Sequence, residues 1–265
     1  MDYEIAIPTY ERVHILKNKT WQLLRTHKIP FQCITIFVED IEQYNKYKTE
    51  FNDVSIVITN TEGIGPKRNF IRDFYRKRDT KWLFCLDDDV IDIGNQTGSL
   101  SPPNLHNMII ECFEKCELRK LSFWSISLGS NRYWRSDTVS VGNKYIYGAL
   151  HGIIIRRDKE MITTDMKNLY EDMDFAIKHF LRDGGVCRFN KYGFVHHNVY
   201  DRLKGEGGIA CHIKDGLSAN RAKLMEELGE AFHNKYPKLT KRIHKKYGLE
   251  TCLNPYAKHP TFLNK

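Results

Sequence analysis

With 265 residues, 41% of them hydrophobic and 12% aromatic, the chain is long enough to bury one large core, which excludes a disordered protein. Lys and Arg outnumber Asp and Glu by 41 to 33, and the net charge of +8 favours an anionic partner, either a polyanion or the phosphates of a nucleotide. No early apolar run of about 15–20 residues predicts a signal peptide or membrane helix. Seven cysteines without CxxC spacing predict reduced thiols in a cytoplasmic protein and no zinc site.

In chain order, residues 3–8 read as a strand running into Thr9-Tyr10-Glu11-Arg12. A helix with Ile15, Leu16, Leu23 and Leu24 on its apolar side ends before Pro30. Residues 33–38 and 54–58 are further strands, the first closed by Glu39-Asp40. Strands separated by helix-length segments predict a parallel sheet whose ligands sit beyond the carboxyl ends of its strands. Between the third strand and the next lies Glu62-Gly63-Ile64-Gly65-Pro66-Lys67-Arg68-Asn69, a tight turn opening a helix, with Pro66 suited to the first helical position. Lys67 and Arg68 oppose the macrodipole in that first turn, a conflict that a bound phosphate relieves; a solvated basic turn is the alternative.

The run Trp82-Leu83-Phe84-Cys85-Leu86 predicts a buried strand, and Asp87, Asp88 and Asp89 follow it directly. Crowded carboxylates need a compensating cation, and alternation along the strand places Asp87 and Asp89 on one side of the pleat, as a hard divalent metal requires. A solvated acidic turn is the competing reading. A polar loop (94–103) and a helix (105–117) lead to strands at 122–128 and 145–147, which flank a loop carrying Arg132, Tyr133, Trp134 and Arg135. His151 stands among the small residues 148–152, as a functional or a structural histidine.

Glu171, Asp172 and Asp174 open an amphipathic helix with Leu169, Met173, Ala176, Ile177 and Phe180 at helical spacing, stopped by Asp183-Gly184-Gly185. They are helix-capping acids or a positioned general base. His196 and His197 end an apolar run, and an imidazole there suits a mixed carboxylate site for Mn²⁺ somewhat better than Mg²⁺. Residues 204–208 read as a flap over a ligand. From Ser218 a helix with Leu224, Met225, Leu228, Ala231 and Phe232 precedes a basic segment containing Lys235, Lys238, Lys241, Arg242, Lys245 and Lys246, with Leu239, Ile243 and Tyr247 on its apolar side. That segment is expected to be helical, as a charged outer face or a nucleic-acid-facing surface.

The ordered set of Ile7-Pro8-Thr9-Tyr10, Glu39, Gly65-Pro66-Lys67-Arg68-Asn69, Leu86-Asp87-Asp88-Asp89, Glu171-Asp172 and a downstream histidine resembles the GT-A class of nucleotide-sugar glycosyltransferases over residues 3–200. The resemblance implies an α/β, Rossmann-like, mostly parallel central sheet flanked by helices. It implies a catalytic domain over 1–217, with 218–265 as a helical basic extension packed on it. Pro8, Thr9 and Glu39 would border the nucleoside with Arg12 nearby, Lys67 or Arg68 would contact the pyrophosphate, and Asp87 would reach the nucleotide or its ribose. Tyr10, Gly65, Asp88 and His151 fall in the same donor-binding set. Asp89 and either His196 or His197 would hold Mn²⁺ or Mg²⁺. Asp172, beside Glu171, would be the base of an inverting displacement from a UDP-sugar. The extra acid at Asp88 departs from the common motif and leaves the metal register open.

The chain further resembles the TET-associated glycosyltransferase group, which implies a phage-type acceptor: a hydroxymethylated pyrimidine in DNA, taking a glucose- or arabinose-class sugar. Such a base must leave the stack to be reached. Arg132, Tyr133, Trp134 and Arg135 would hold phosphate and stack on it, with Lys241, Arg242, Lys245 and Lys246 as a second DNA-facing set. The alternatives are a protein, lipid or glycan acceptor, a nucleotidyltransferase, and a non-catalytic nucleic-acid-binding protein.

Overall fold

Strand β1 (Tyr3–Pro8) is apolar at almost every position and becomes the centre of a parallel set. The computed structural model describes residues 2–102, 104–129, 131–157, 170–196, 217–245 and 248–260. After β1 come helices α1 (Val13–Asn18) and α2 (Thr20–Thr26), β2 (Ile34–Val38), α3 (Ile41–Glu50), β3 (Ser55–Ile58), α4 (Ile64–Arg76) and β4 (Trp82–Leu86). Strands β1, β2, β3 and β4 are mutually parallel in the order β3-β2-β1-β4. The single helix predicted before Pro30 is two, because Lys19 (φ −120°, ψ −96°) breaks it and starts α2 at Thr20. Pro66 is the third residue of α4, whose N-terminus is set by Gly63 at φ +84°.

Beyond β4 the chain forms β5 (Val90–Gly94), α5 (Leu105–Leu118), β6 (Phe123–Leu128), β7 (Val139–Gly142), β8 (Leu150–Ile154), α6 (Glu171–Asp183) and β9 (Val186–His196). These strands extend the sheet as β4-β8-β6-β9-β5, with β7 also on β9. β8 runs antiparallel to β4 and β6, whereas β6 and β9 are parallel. The strand expected at 145–147 is not formed; the pairing strands are β7 and β8 on either side of it.

Alternation along the buried strands divides the core between the two faces. Ile5, Ile7, Phe84 and Leu86 pack with α1, α2, α3 and α5; Ala6, Leu83, Cys85 and Phe123 pack with α4 and α6. Helix α7 (Leu217–Lys235) joins the second face through Phe232. The basic segment after it is not helical. β10 (Thr240–Lys245) and β11 (Gly248–Leu253) form an antiparallel hairpin that buries Leu239 and Leu253 in the same face. Pro237 lies at the break, and β-branched Thr240, Ile243 and Thr251 suit the paired strands. Among the described residues no helix is long and apolar enough to cross a membrane.

Candidate active site

The carboxyl ends of β1, β2, β3 and β4 open onto one polar cluster. Thr9 N–H donates to the Phe37 carbonyl, and Thr59 and Asn60 N–H donate to Val38 and Glu39, so Pro8, Thr9 and the half-buried Glu39 line one rim. The acids follow β4 in a turn, not in the strand, so strand alternation does not govern them. Thr20 clasps this turn: its hydroxyl donates to the Asp87 carbonyl (2.6 Å) and accepts from Val90 N–H (2.9 Å).

Each acid takes different partners. Asp87 is half-buried and accepts from Arg68 Nη2 at 2.9 and 3.2 Å. Asp88 is buried, accepting from Thr9 Oγ1 (2.6 Å) and Arg12 Nη1 (3.1 Å). Because Thr9 gives its proton to Asp88, Tyr47 must donate to Thr9 Oγ1, and Arg12 N–H donates to Tyr47 in turn. Asp89 is also buried, 3.6 Å from Arg12 Nη1. Burial, together with the Asp89 and Asp87 charges, pushes the Asp88 carboxyl up to about 7 against the opposing pull of Arg12 and Thr9. Lys67, which sits 5.6 Å from the Tyr10 ring, donates from Nζ to the Thr9 carbonyl (2.9 Å), and burial lowers its pKa. Gly65 is buried in the first turn of α4 beside these groups.

Arg68 connects this cluster to a second pair of acids. Its Nη1 donates to Glu171 Oε1 (2.5 Å) while Nη2 holds Asp87. Burial first, then the Asp172 charge, pushes Glu171 up to about 7 although Arg68 opposes both. Asp172 accepts from Tyr145 Oη (2.5 Å) and, through Oδ1, from Met173 N–H (2.8 Å); burial raises its pKa. His151 lies opposite Cys85 in the β4–β8 register, with Nδ1 2.9 Å from the Gly148 carbonyl. That contact makes Nδ1 the donor, and burial beside Arg68 and Arg72 holds the ring neutral.

The β5–β9 pairing sets His196 opposite Val90, the residue after Asp89, so the backbone of His196 lies beside the end of the acidic turn. His197 and the flap segment 204–208 lie outside the described residues. Among the described residues no group of three or more His, Cys, Asp or Glu side chains is gathered as a metal site. The chemistry of the donors fits a hard divalent cation nonetheless: three successive carboxylates face one guanidinium at Arg12 and one shared at Arg68.

The predicted nucleic-acid residues separate into two kinds. Arg135 is buried, its fork donating to the Asn95 (2.7 Å) and Gly129 (3.0 Å) carbonyls. Arg132 and Tyr133 are exposed, Tyr133 at 83%, on a 3-10 turn that also contains Trp134, whose side chain is outside the described residues. On the hairpin Lys241 is exposed, whereas Arg242 donates to the Glu226 carbonyl and lies 3.7 Å from Glu230. The Lys245 side chain and Lys246 are outside the described residues.

A family model for TET-associated glycosyltransferases matches residues 3–208. The chain belongs to this family. No curated protein sequence matches it. Among solved structures, this glycosyltransferase-family chain is similar to a fragment (1–349) of Staphylococcus aureus TarS, at 13% identity and TM-score 0.55 over 90% of this chain and 73% of that one. It is also similar to the mannosyltransferase PcManGT of Pyrobaculum calidifontis, solved with GDP-Man and Mn²⁺ (12% identity, TM-score 0.53), covering 89% of this chain and 64% of that one. Glucosyl-3-phosphoglycerate synthase of Mycobacterium tuberculosis, solved with Mn²⁺, UDP-Glc and phosphoglyceric acid, matches at 9% identity and TM-score 0.53 over 99% and 91%. The shared architecture is the GT-A fold.

Sequence reasoning missed several residues on which the site of this family member rests. Tyr145, assigned to a strand, is the partner of Asp172; Thr20, inside the predicted first helix, anchors the Asp87–Val90 turn, and Tyr47, in the segment between the second and third strands, holds Thr9 beside Asp88. Each acts across a long sequence separation, and no local pattern records that.

Proposed function

We propose that this glycosyltransferase-family chain transfers a sugar from a nucleotide-sugar, UDP-sugar foremost, to the hydroxyl of a 5-hydroxymethylated pyrimidine in DNA. The observation that carries the proposal is the junction at Arg68, which joins the acidic turn after β4 to Glu171 and Asp172 in one cluster at the sheet's ligand-binding end. The family match and the Mn²⁺-bound, nucleotide-sugar-bound structures of similar fold support the same reading.

In this reading Pro8, Thr9, Tyr10, Arg12 and Glu39 border the nucleoside. Asp89 with His196 or His197 would hold Mn²⁺ or Mg²⁺, which supplies charge stabilisation at the leaving diphosphate when bound. Lys67 and Arg68 are the cations that meet the diphosphate, each by exchanging a present partner, the Thr9 carbonyl or the Asp87 carboxylate. Asp172 accepts the acceptor hydroxyl's proton as that oxygen bonds to the anomeric carbon and the bond to the diphosphate oxygen breaks. Burial raises the basicity of Asp172, and its hydrogen bonds from Tyr145 and Met173 fix its plane. Displacement at the face opposite the leaving group gives inversion.

Asp172→Asn is expected to lower kcat by about 10²–10⁴-fold with UDP affinity unchanged. Asp89→Ala is expected to abolish the chelator-sensitive part of UDP binding in a titration with Mn²⁺. UDP release that persists undiminished in Asp172→Asn, or UDP binding indifferent to chelator, overturns the assignment. Release of pyrophosphate from a nucleoside triphosphate points instead to a nucleotidyltransferase.

A further inference from the structure

The acids at the start of α6 are bracketed by contacts from a single remote element. Tyr170, the residue before Glu171, has φ +61° and ψ 5°, a left-handed conformation rare for a bulky residue. Its ring is buried and stacks on Phe232 of α7, with centroids 5.2 Å apart and planes 16° apart. The Thr251 backbone hydrogen-bonds its hydroxyl. Gly229 makes room for that hydroxyl, since a β-carbon there would lie 2.8 Å from Tyr170 Oη and 3.0 Å from Thr251 Oγ1. Thr251 Oγ1 in turn donates to the Gly229 carbonyl (2.7 Å), locking β11 onto α7.

On the other side of the acidic pair, Asp174 is fully buried. It accepts from Lys235 Nζ (2.9 Å) and Tyr236 Oη (2.8 Å), at and just beyond the end of α7, and is 3.1 Å from Lys178. Asp174 N–H also donates to the Tyr170 carbonyl (2.8 Å), the first backbone bond of α6. Tyr170, the residue before the pair, and Asp174, the second residue after it, are therefore both held by the C-terminal helix and the chain that follows it.

We propose that this C-terminal element is a positioning device for Glu171 and Asp172, with Tyr170 as the positioning residue. The inference rests on the reading of Asp172 as the base. A change of backbone angle at residue 170 swings the following two side chains relative to Arg68 and Tyr145, which belong to other parts of the fold. Tyr170 is held in its unusual conformation by the aromatic stack and the hydroxyl contact, not by its own preference. A misplacement of about 1 Å at a reacting group can cost on the order of 10²-fold in rate, so the anchoring contacts matter to catalysis without touching a substrate.

The test compares Tyr170→Gly, Tyr170→Phe and Tyr236→Phe with Asp172→Asn. It reads kcat, donor KM, UDP affinity with Mn²⁺, and hydrogen exchange of the amides of residues 171–175. Glycine adopts the positive φ freely, so Tyr170→Gly removes the anchor without imposing backbone strain. It is expected to lower kcat about tenfold or more, with donor KM and UDP affinity within about twofold, and to speed exchange at 171–175. Tyr170→Phe keeps the stack and is expected to stay within about threefold, and Tyr236→Phe to fall between. Wild-type kcat and wild-type amide protection in Tyr170→Gly overturn the proposal. So does a parallel loss of UDP affinity and kcat, which marks general damage. If Asp172→Asn keeps its rate while Tyr170→Gly loses both rate and protection, the base assignment fails and the positioning stands. Amide exchange decides the positioning claim by itself where no acceptor supports turnover.

Discussion

A β-carbon on Gly148 would lie 2.3 Å from Arg68 Nη1 and 2.8 Å from Cζ. A free arginine tip could yield, but this one is fixed from two sides, by Glu171 at 2.5 Å and Asp87 at 2.9 Å. Gly148→Ala must therefore move the guanidinium off at least one carboxylate, leaving that acid without its cation. Breaking one side of a buried ion pair costs about 3–5 kcal/mol, and the partial exposure of Asp87 places this case at or below the low end. The expected result is a loss of about 2–3 kcal/mol in urea unfolding, with weaker UDP binding in Mn²⁺. Ala at 148 with unchanged stability and unchanged UDP affinity removes Arg68 from its proposed role as the junction of the site.

At the scale of elements, α6 carries oppositely titrating groups at its two ends. At the start, Glu171 faces Asp172, Arg68 and Asp87, and its pKa is raised from 4.5 to about 7. The folded state then holds the extra proton between those values, so this group's contribution to stability declines as pH rises from about 4.5 to 7. Near the end, His179 faces Ser122, Asp183, Arg182 and Arg72, and burial lowers it from 6.5 to about 4. Here the unfolded state holds the extra proton, so stability declines as pH falls from 6.5 to about 4. Each shift is worth about 3 kcal/mol, and within the overlap the two cancel to first order. The wild-type profile also carries the raised Asp88 and Asp172 and the lowered His151, so urea unfolding at pH 4.5, 5.5 and 6.5 is read for each variant relative to the wild type. Glu171→Gln is expected to lose stability toward pH 4.5, and His179→Phe to gain it. Parallel profiles for the two variants would refute the opposition. Asp183, held low by His179, Arg182 and Ser122, adds a further loss at more acid pH in all three.

These two ends also show what was legible in the sequence. The amphipathic repeat of Met173, Ala176, Ile177 and Phe180 located α6, and the apolar runs located β1, β2, β4 and β6, because burial on both faces leaves a continuous hydrophobic signature; β3, a half-buried edge strand, was located by its β-branched run. The hairpin was misread because Leu239 and Ile243 stand four apart among lysines, a helical spacing, while Thr240 and Thr251 supply its buried faces as polar residues. The acids themselves were legible as residue types. Their partners were not: Arg68 meets Glu171 across 103 positions, and Asp88 meets Arg12 across 76. Asp88 read as a surplus carboxylate; it is bound into the scaffold by Thr9 and Arg12.

Across the whole molecule, a net charge of +8 coexists with a site built largely of carboxylates. The surplus must lie outside the site, and not every cation is available to a polyanion. Arg135 is spent on the Asn95 and Gly129 carbonyls, and Gly94 and Gly193 are shaped around it, since a β-carbon on either would come within 3.1 and 2.9 Å of its guanidinium. Arg132, three residues away, is exposed beside Tyr133. Each phosphate neutralised by a protein cation contributes a slope of about −0.9 to log affinity against log salt on duplex DNA. Arg132→Ala is accordingly expected to flatten the salt dependence of duplex binding by about one such step and leave the unfolding midpoint in place. Arg135→Ala is expected to do the reverse: two half-buried carbonyls lose their donors, stability falls by about 1–2 kcal/mol, and the salt slope is preserved. Fluorescence anisotropy of a labelled duplex between about 50 and 200 mM salt, paired with thermal unfolding, reads both quantities. A salt slope that neither substitution moves would take the 131–135 turn out of the acceptor surface, and a wild-type affinity indifferent to salt would take DNA out of the acceptor role altogether.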